Sequence, residues 1–284
     1  MNRMESHRYR SQIEQLIQGF SAETIGMLTS LSDEALQEKL DGIINFPIIL
    51  RDHTDSELIE FYYTSSYVYL LETLNVPKDA KLFEIAAGDT IFIPKALNAH
   101  AELGAKYVTA NLNTNLSRGF KEKASVLDIE IQVIEDDGVN ILNYCGQGSM
   151  DVVVFHHAMN DIIQTIIAQR EGIDTIQVDW WTAEPQMLQA VMAYHNRREL
   201  KSAAYDEFIH IIETCMKLLK EDGYFIFDNC TYAGYESMGY SSEFHSNYIE
   251  LAREWIGEAN LGLQEIELPG FDPKWWMVLQ KVNL

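Results

Sequence analysis

Lys81-Leu-Phe-Glu-Ile-Ala-Ala-Gly-Asp-Thr90 is the stretch whose reading decides the fold. Leu82 to Ile85 is a short apolar run with the length of a buried strand. Small residues follow at Ala86, Ala87 and Gly88, and then Ile91-Phe-Ile-Pro-Lys-Ala-Leu97 has helical character. A strand that enters a helix through small residues is the opening of a nucleotide-binding βα unit. There the backbone N–H groups come close to a ligand, and the helix N-terminus adds a positive end. Glu84, at the strand's end, is placed to accept hydrogen bonds from a cationic or hydroxyl-bearing ligand. The same residues also suit an ordinary strand-to-helix turn in any α/β protein.

Strands and helices alternate from here toward the C-terminus, which predicts a mostly parallel sheet covered on both faces. A helix to His100 leads to a second strand, Tyr107–Leu112, then a polar helix from Leu116 to Val126 and a third strand, Ile129–Ile134. Asp151-Val-Val-Val-Phe155 is apolar and β-branched, as a central parallel strand requires. A helix over Ile162–Gln169 precedes an unusual segment, Glu171 to Leu200, with Asp179-Trp-Trp181, Pro185 and a helical Gln186–Tyr194. A helix over Tyr205–Leu219 and a strand over Tyr224–Phe227 follow. After a loop rich in Gly, Ser and Tyr come a helix over Asn247–Glu258 and two closing strands, Leu263–Leu268 and Trp275–Val282.

Toward the N-terminus the pattern is helical from residue 8 to 40. A longer helix is predicted over Ser56–Leu74, with Asp55 as its N-cap, and it is unusually dense in tyrosine. Those rings read first as packing against the sheet, with a ligand-covering lid as the alternative. Residues 1–79 are therefore expected to form a helical cap, and 80–284 a sheet domain with an insertion at about 171–200.

The chain has 284 residues, a net charge of −22 and 47% hydrophobic residues, enough for a large core. Such acidity excludes a phosphate backbone or an anionic membrane as a natural partner. It favours a small neutral or cationic substrate. The three cysteines have neither metal-type spacing nor the number for a disulfide framework. With no signal-like N-terminus and no long apolar run, the expectation is a cytoplasmic protein with no membrane partner.

In strand order and strand-end residues the chain resembles the class I (Rossmann-like) S-adenosyl-L-methionine (SAM)-dependent methyltransferases, of the small-molecule type. The likeness runs over about residues 80 to 284. Glu84-Ile-Ala-Ala-Gly88-Asp-Thr90 stands where that family has its acidic, Gly-rich first turn. Asn111 closes the second strand, where the family has an acidic residue for the ribose hydroxyls. Val133-Ile-Glu-Asp136-Asp137 closes the third, where an Asp meets the adenine amino group. Gly148-Ser-Met-Asp-Val-Val-Val-Phe155 and Leu218-Leu-Lys-Glu-Asp-Gly-Tyr-Phe-Ile-Phe227 resemble its fourth and fifth strands. The resemblance implies a seven-stranded, mostly parallel sheet with an antiparallel C-terminal strand. It also implies SAM as cofactor and S-adenosylhomocysteine as product, with Glu84, Ala86, Gly88, Asn111, Asp136, Asp137 and His156 in contact with them. Ala86, Thr90 and Asn111 depart from the family's pattern and bear on how tightly SAM is held.

The chemistry is expected at the carboxyl ends of the strands. There His156 and His157 follow strand four, Asp228 follows strand five, and His245 lies in the Tyr-rich loop. A histidine is suited to taking a proton from the methyl acceptor. Strand alternation predicts that only one of His156 and His157 faces substrate. His156 with Asp228-Asn229 also has the donor types for a divalent cation, but the all-oxygen set of the metal-dependent catechol-type enzymes is not intact, and no metal is assigned. Asp179, Trp180, Trp181, Tyr232, Tyr235 and Tyr240 are read as an aromatic box for a cationic or aromatic substrate, or else as core and homodimer contacts. Two other functions stay open: SAM chemistry other than methyl transfer, such as aminocarboxypropyl transfer, and a non-catalytic binding subunit.

Overall fold

The computed structural model describes residues 8–282. Seven strands form one sheet: β1 (Lys81–Ile85), β2 (Lys106–Ala110), β3 (Glu130–Ile134), β4 (Met150–His156), β5 (Leu219–Asp228), β6 (Leu263–Ile266) and β7 (Trp276–Lys281). Their order is β3-β2-β1-β4-β5-β7-β6. Only β7 runs against the rest, inserted between β5 and β6. This is the layout that the resemblance implies. The order reverses between β1 and β4, so a crevice opens beyond their carboxyl ends.

Period-two alternation sorts the strand residues onto two faces. Phe83 and Ile85, Val153 and Phe155, and Phe225 and Phe227 join one apolar cluster, with helices Ala158–Glu171 and Leu200–Leu218. Leu82, Val152, Val154, Ile226 and Val278 join the other, under the N-terminal helices. Each such fully buried aliphatic side chain contributes about 1.5–3 kcal/mol. Residues on both sides of position 79 belong to this second cluster.

The Tyr-rich helix spans His53–Thr73, beginning earlier than the sequence pattern suggests. Its cap is Asp52, which accepts from the N–H groups of Thr54 (2.9 Å) and Asp55 (3.2 Å). Asp55 instead pairs with Arg51 on the surface. Phe61 to Val68 are all buried, because the helix lies between the sheet and the preceding helices. Tyr62, Tyr63 and Tyr67 therefore pack against the sheet side, where Trp276 donates to the Tyr62 hydroxyl (3.1 Å).

The 171–200 segment is more helical than predicted. Helix Trp180–Asn196 starts six residues before Gln186, capped by Asp179, which accepts from the Thr182 N–H (3.1 Å). Pro185 lies inside it rather than ahead of it. Among the described residues, no helix is long and apolar enough to cross a membrane.

Candidate active site

At the β1 end the chain turns through Ala86 (φ +56°) and Gly88 (φ +62°). Ala86 is a non-glycine in left-handed space and carries the small strain of that conformation. Its N–H bonds to the Ala110 carbonyl (3.0 Å), holding the turn against the end of β2. Asn111 clamps the same turn from both sides. Its Oδ1 accepts from the Gly88 N–H (3.1 Å) and its Nδ2 donates to the Gly88 carbonyl (2.7 Å). An Asn can do this and a carboxylate cannot, because only the amide offers both a donor and an acceptor.

Beyond this turn lies a cleft of about 400 Å³. Ala86, Gly88, Asn111, Asn113, Asp137 and Asp161 supply much of its polar rim, and Ile85, Leu112, Val139, Ile162 and Ile166 its apolar wall. Asn113 sets its edge: it caps helix Thr114–Ala124 with Oδ1, while Nδ2 donates to the carbonyls of Thr175 and Val178. Gly138 passes so close to β1 that an added Cβ would lie 2.5 Å from the Ile85 Cδ1. Of the two aspartates after β3, Asp137 lines the cleft and Asp136 does not. Asp136 accepts from Asn140 (2.9 Å) and from the Tyr144 hydroxyl (2.8 Å), bonds that hold its carboxyl below the usual range.

An inner chamber of about 140 Å³ adjoins the cleft. Ala86, Gly88, Leu116, Asp161 and Trp180 line both spaces. The inner walls include His156, His157 and His245, the carboxylates of Asp161 and Glu184, and the rings of Tyr232 and Tyr235. Trp181, 60% exposed, stands at its edge.

Both histidines after β4 reach this chamber, contrary to the alternation expected of them. His157 has left the strand with φ +53°, and the two rings lie 4.2 Å apart. His156 pairs in register with Asp228 across β4 and β5. Its Nδ1 lies 2.9 and 3.0 Å from the two Asp228 oxygens, and its buried Nε2 has no hydrogen bond. Burial works to lower its pKa, but the Asp228 charge and hydrogen bond outweigh that and raise it. His157 accepts the Cys230 N–H on Nδ1 (3.2 Å), so its proton is on Nε2, and burial with the neighbouring His156 pushes it down to about 3. His245, buried in the short turn of helix Ser242–His245, is likewise pushed down to about 3 by burial and by His157.

Besides Asp136, two predicted site residues sit elsewhere. Glu84 does not line either space. Alternation sends Ile85 to the cleft side and Glu84 to the opposite face, where it is fully buried and accepts from the Tyr107 hydroxyl. Asp228 lies behind the histidines, wholly buried, and also accepts from the Tyr67 hydroxyl. Of the aromatic box, Asp179 is a helix cap, and Tyr240 is buried between Asn160 and Tyr248 (2.9 and 2.5 Å). Glu184 was not legible as a site residue: it follows Trp-Trp-Thr-Ala in a helix whose start was masked by Pro185. Ligand atoms of His156, His157 and Asp228 lie within 4.8 Å of one another, the one donor set of this kind among the described residues. Asp228 there is already engaged by Tyr67 and His156.

No family model and no curated protein matches the chain. Solved structures with a related chain layout include a Methanococcus maripaludis protein assigned as a SAM-dependent methyltransferase. It is 11% identical, with a TM-score of 0.49, over 88% of this chain and 93% of that one. A SAM-dependent methyltransferase of Aquifex aeolicus is 9% identical (TM-score 0.44; 75% and 87% covered). A Podospora anserina methyltransferase with bound S-adenosylhomocysteine is 12% identical (TM-score 0.47; 100% and 97% covered). These three scores lie below 0.5, so the fold rests on the strand order and register of this chain: an α/β sheet of seven strands with one antiparallel strand near its edge.

Proposed function

We propose that this chain transfers a methyl group from SAM to a small-molecule acceptor. The observation that carries the reading is the pair of adjoining chambers at the β1/β4 switch point, which share Ala86, Gly88, Leu116, Asp161 and Trp180. Such a reaction needs a donor site and an acceptor site that meet at one wall. The larger cleft suits the donor. Its volume is within the range of small-molecule sites. A Cβ built on Gly88 would meet nothing within 4 Å, so the space before that turn is open. Asp137 and Asp161, with no Lys or Arg among the described lining residues, make the cleft hospitable to a sulfonium cation.

When bound, SAM supplies an electrophilic methyl group. The protein's part is to align the acceptor and to receive its proton. Ala86 and Gly88 hold the shared wall, with Asn111 clamping the turn from behind. His156, oriented by Asp228, lines the inner chamber, and its buried Nε2 has no hydrogen-bond partner. His157 spends its Nδ1 lone pair on the Cys230 N–H and acts as a wall rather than a base.

Calorimetric titration with SAM and S-adenosylhomocysteine tests this reading. Micromolar binding is expected, and Gly88→Trp should weaken it at least about a hundredfold by filling the donor space. Heat-silent titrations with both ligands, together with unchanged melting temperatures, would sink the proposal. Product masses then separate methyl transfer from transfer of a larger group.

A further inference from the structure

Two carboxylates face the inner chamber with no Lys or Arg partner among the described residues, and the His156 ring acts electrostatically on one of them, Asp161. Asp161, half-buried, has the Asn160 amide as its hydrogen-bond donor (3.2 Å). Glu184, 7% exposed, is supported by the Tyr235 hydroxyl. Among the described residues neither forms an ion pair with Lys or Arg, and none of the chamber's lining is Lys or Arg. Two lining histidines also present unused polar atoms: Nε2 of His156 and Nδ1 of His245, each on a side chain more than nine-tenths buried. Trp180, Trp181, Tyr232 and Tyr235 line the same chamber. Buried acids left unpaired cost free energy unless they are protonated or meet a cation. Aromatic faces attract cations as well, through the ring quadrupole.

We propose that the inner chamber takes its methyl acceptor as an organic ammonium ion, a primary or secondary amine with an apolar body, seated between Asp161 and Glu184. This deepens, and rests on, the methyl-transfer reading of the same site. An ammonium nitrogen has no lone pair, so it must lose a proton before it attacks. Burial pushes Glu184 up to about 7, and burial with the nearby Glu184 charge pushes Asp161 up to about 7, so either carboxylate is a matched acceptor for that proton near neutral pH. The balanced step follows. The ammonium proton passes to the carboxylate and the freed nitrogen pair forms the N–CH₃ bond. The S–CH₃ bond breaks with its electrons left on sulfur, giving a neutral thioether and, directly, the N-methylated ammonium, while the carboxyl group releases its proton to solvent.

The experiment uses the full chain saturated with S-adenosylhomocysteine. Benzylammonium, benzyl alcohol and benzoate are titrated in as probes of the same shape. Benzylammonium is expected to bind at least about tenfold more tightly than the alcohol, with benzoate weakest. Glu184→Gln should remove about tenfold of that preference and leave S-adenosylhomocysteine affinity within about twofold. Asp161→Asn gives a second variant with the same expected loss of preference, should Glu184→Gln fold poorly. Equal affinities for ammonium and alcohol, or an ammonium preference that survives both substitutions while S-adenosylhomocysteine still binds, overturns the ammonium assignment alone. Failure of S-adenosylhomocysteine to bind the wild-type chain overturns the methyl-transfer reading, and this inference with it.

Discussion

Replacing Asp228 with alanine is expected to cost about 3–5 kcal/mol of folding stability, measured by denaturant unfolding. The carboxylate is 1% exposed and serves two buried donors at once, the Tyr67 hydroxyl and the His156 Nδ1–H. Alanine leaves both donors in the core without an acceptor and removes the charge that holds the His156 pKa up. A group whose pKa is raised by folding gives stability that is complete below its unfolded value and fades as pH rises through its folded one. The loss from Asp228→Ala should therefore be larger at about pH 6 than at about pH 10. Asp228→Asn keeps an acceptor but not the charge, so it should cost less and still lower the His156 titration seen by NMR. A loss under about 1 kcal/mol for Asp228→Ala, or an unmoved His156 titration, would contradict this account.

Glu84 is the second large effect, and it concerns pH. Burial pushes this carboxyl up from its reference 4.5 to about 7, with the His156 charge and the Tyr107 hydroxyl opposing the rise. One of its oxygens, Oε1, is buried with no donor. The folded protein thus binds a proton there that the unfolded chain releases. The associated stability is full below about pH 4.5 and disappears as pH climbs through about 7. Glu84→Gln cannot titrate. Relative to this variant, the wild type should lose about 3 kcal/mol between about pH 4.5 and pH 8. His157 and His245, buried and pushed down to about 3, act in the opposite sense: their contribution is lost as pH falls below about 6.5. Both proteins carry them, so they cancel in the comparison. Parallel stability–pH curves for wild type and Glu84→Gln would show that Glu84 is charged in the fold at little cost.

The two effects belong to one buried layer. On the face of the sheet under the Tyr-rich helix, Glu84, His156 and Asp228 near the strand ends, and Tyr107 at the start of β2, replace what would be four apolar positions. Tyr63 closes the layer with its ring edge-on to His156 (4.7 Å) and His157 (5.1 Å). Tyr63 and Tyr67 of helix His53–Thr73 thereby reach the candidate site as packing around His156, whereas the sequence reading put first packing of the helix's tyrosines against the sheet. The lid alternative has no support in their burial.

Much of the fold was legible because parallel strands announce themselves. Val152, Val153 and Val154 form a run that only a strand buried on both faces accommodates. The turn at Gly88 and the Asp-Asn pair after β5 marked the strand ends, and with them the place where a site forms. Element ends were less legible. Pro185 read as a helix boundary, yet the helix contains it, capped ahead by Asp179. Asp52 rather than Asp55 starts the tyrosine helix, because both acids offer the same cap chemistry and local sequence does not choose between them.

The sequence by itself determined the α/β class, the order of strands and helices, the acidity, and the position of His156, His157 and Asp228 at the carboxyl ends of β4 and β5. Periodicity and chain order carry that information locally. Which face each strand-end residue serves depended on register and on a single backbone torsion, and those only the tertiary structure decided. Register set His156 beside Asp228. Alternation turned Glu84 away from the cleft. The left-handed backbone of His157 brought its ring back beside His156. Glu184 and Asp161, 23 residues apart by their numbers, meet at one chamber because helices Ala158–Glu171 and Trp180–Asn196 pack together. Such contacts are made by parts of the chain that carry no local signal of each other, so they emerge only once the helices and the sheet are docked.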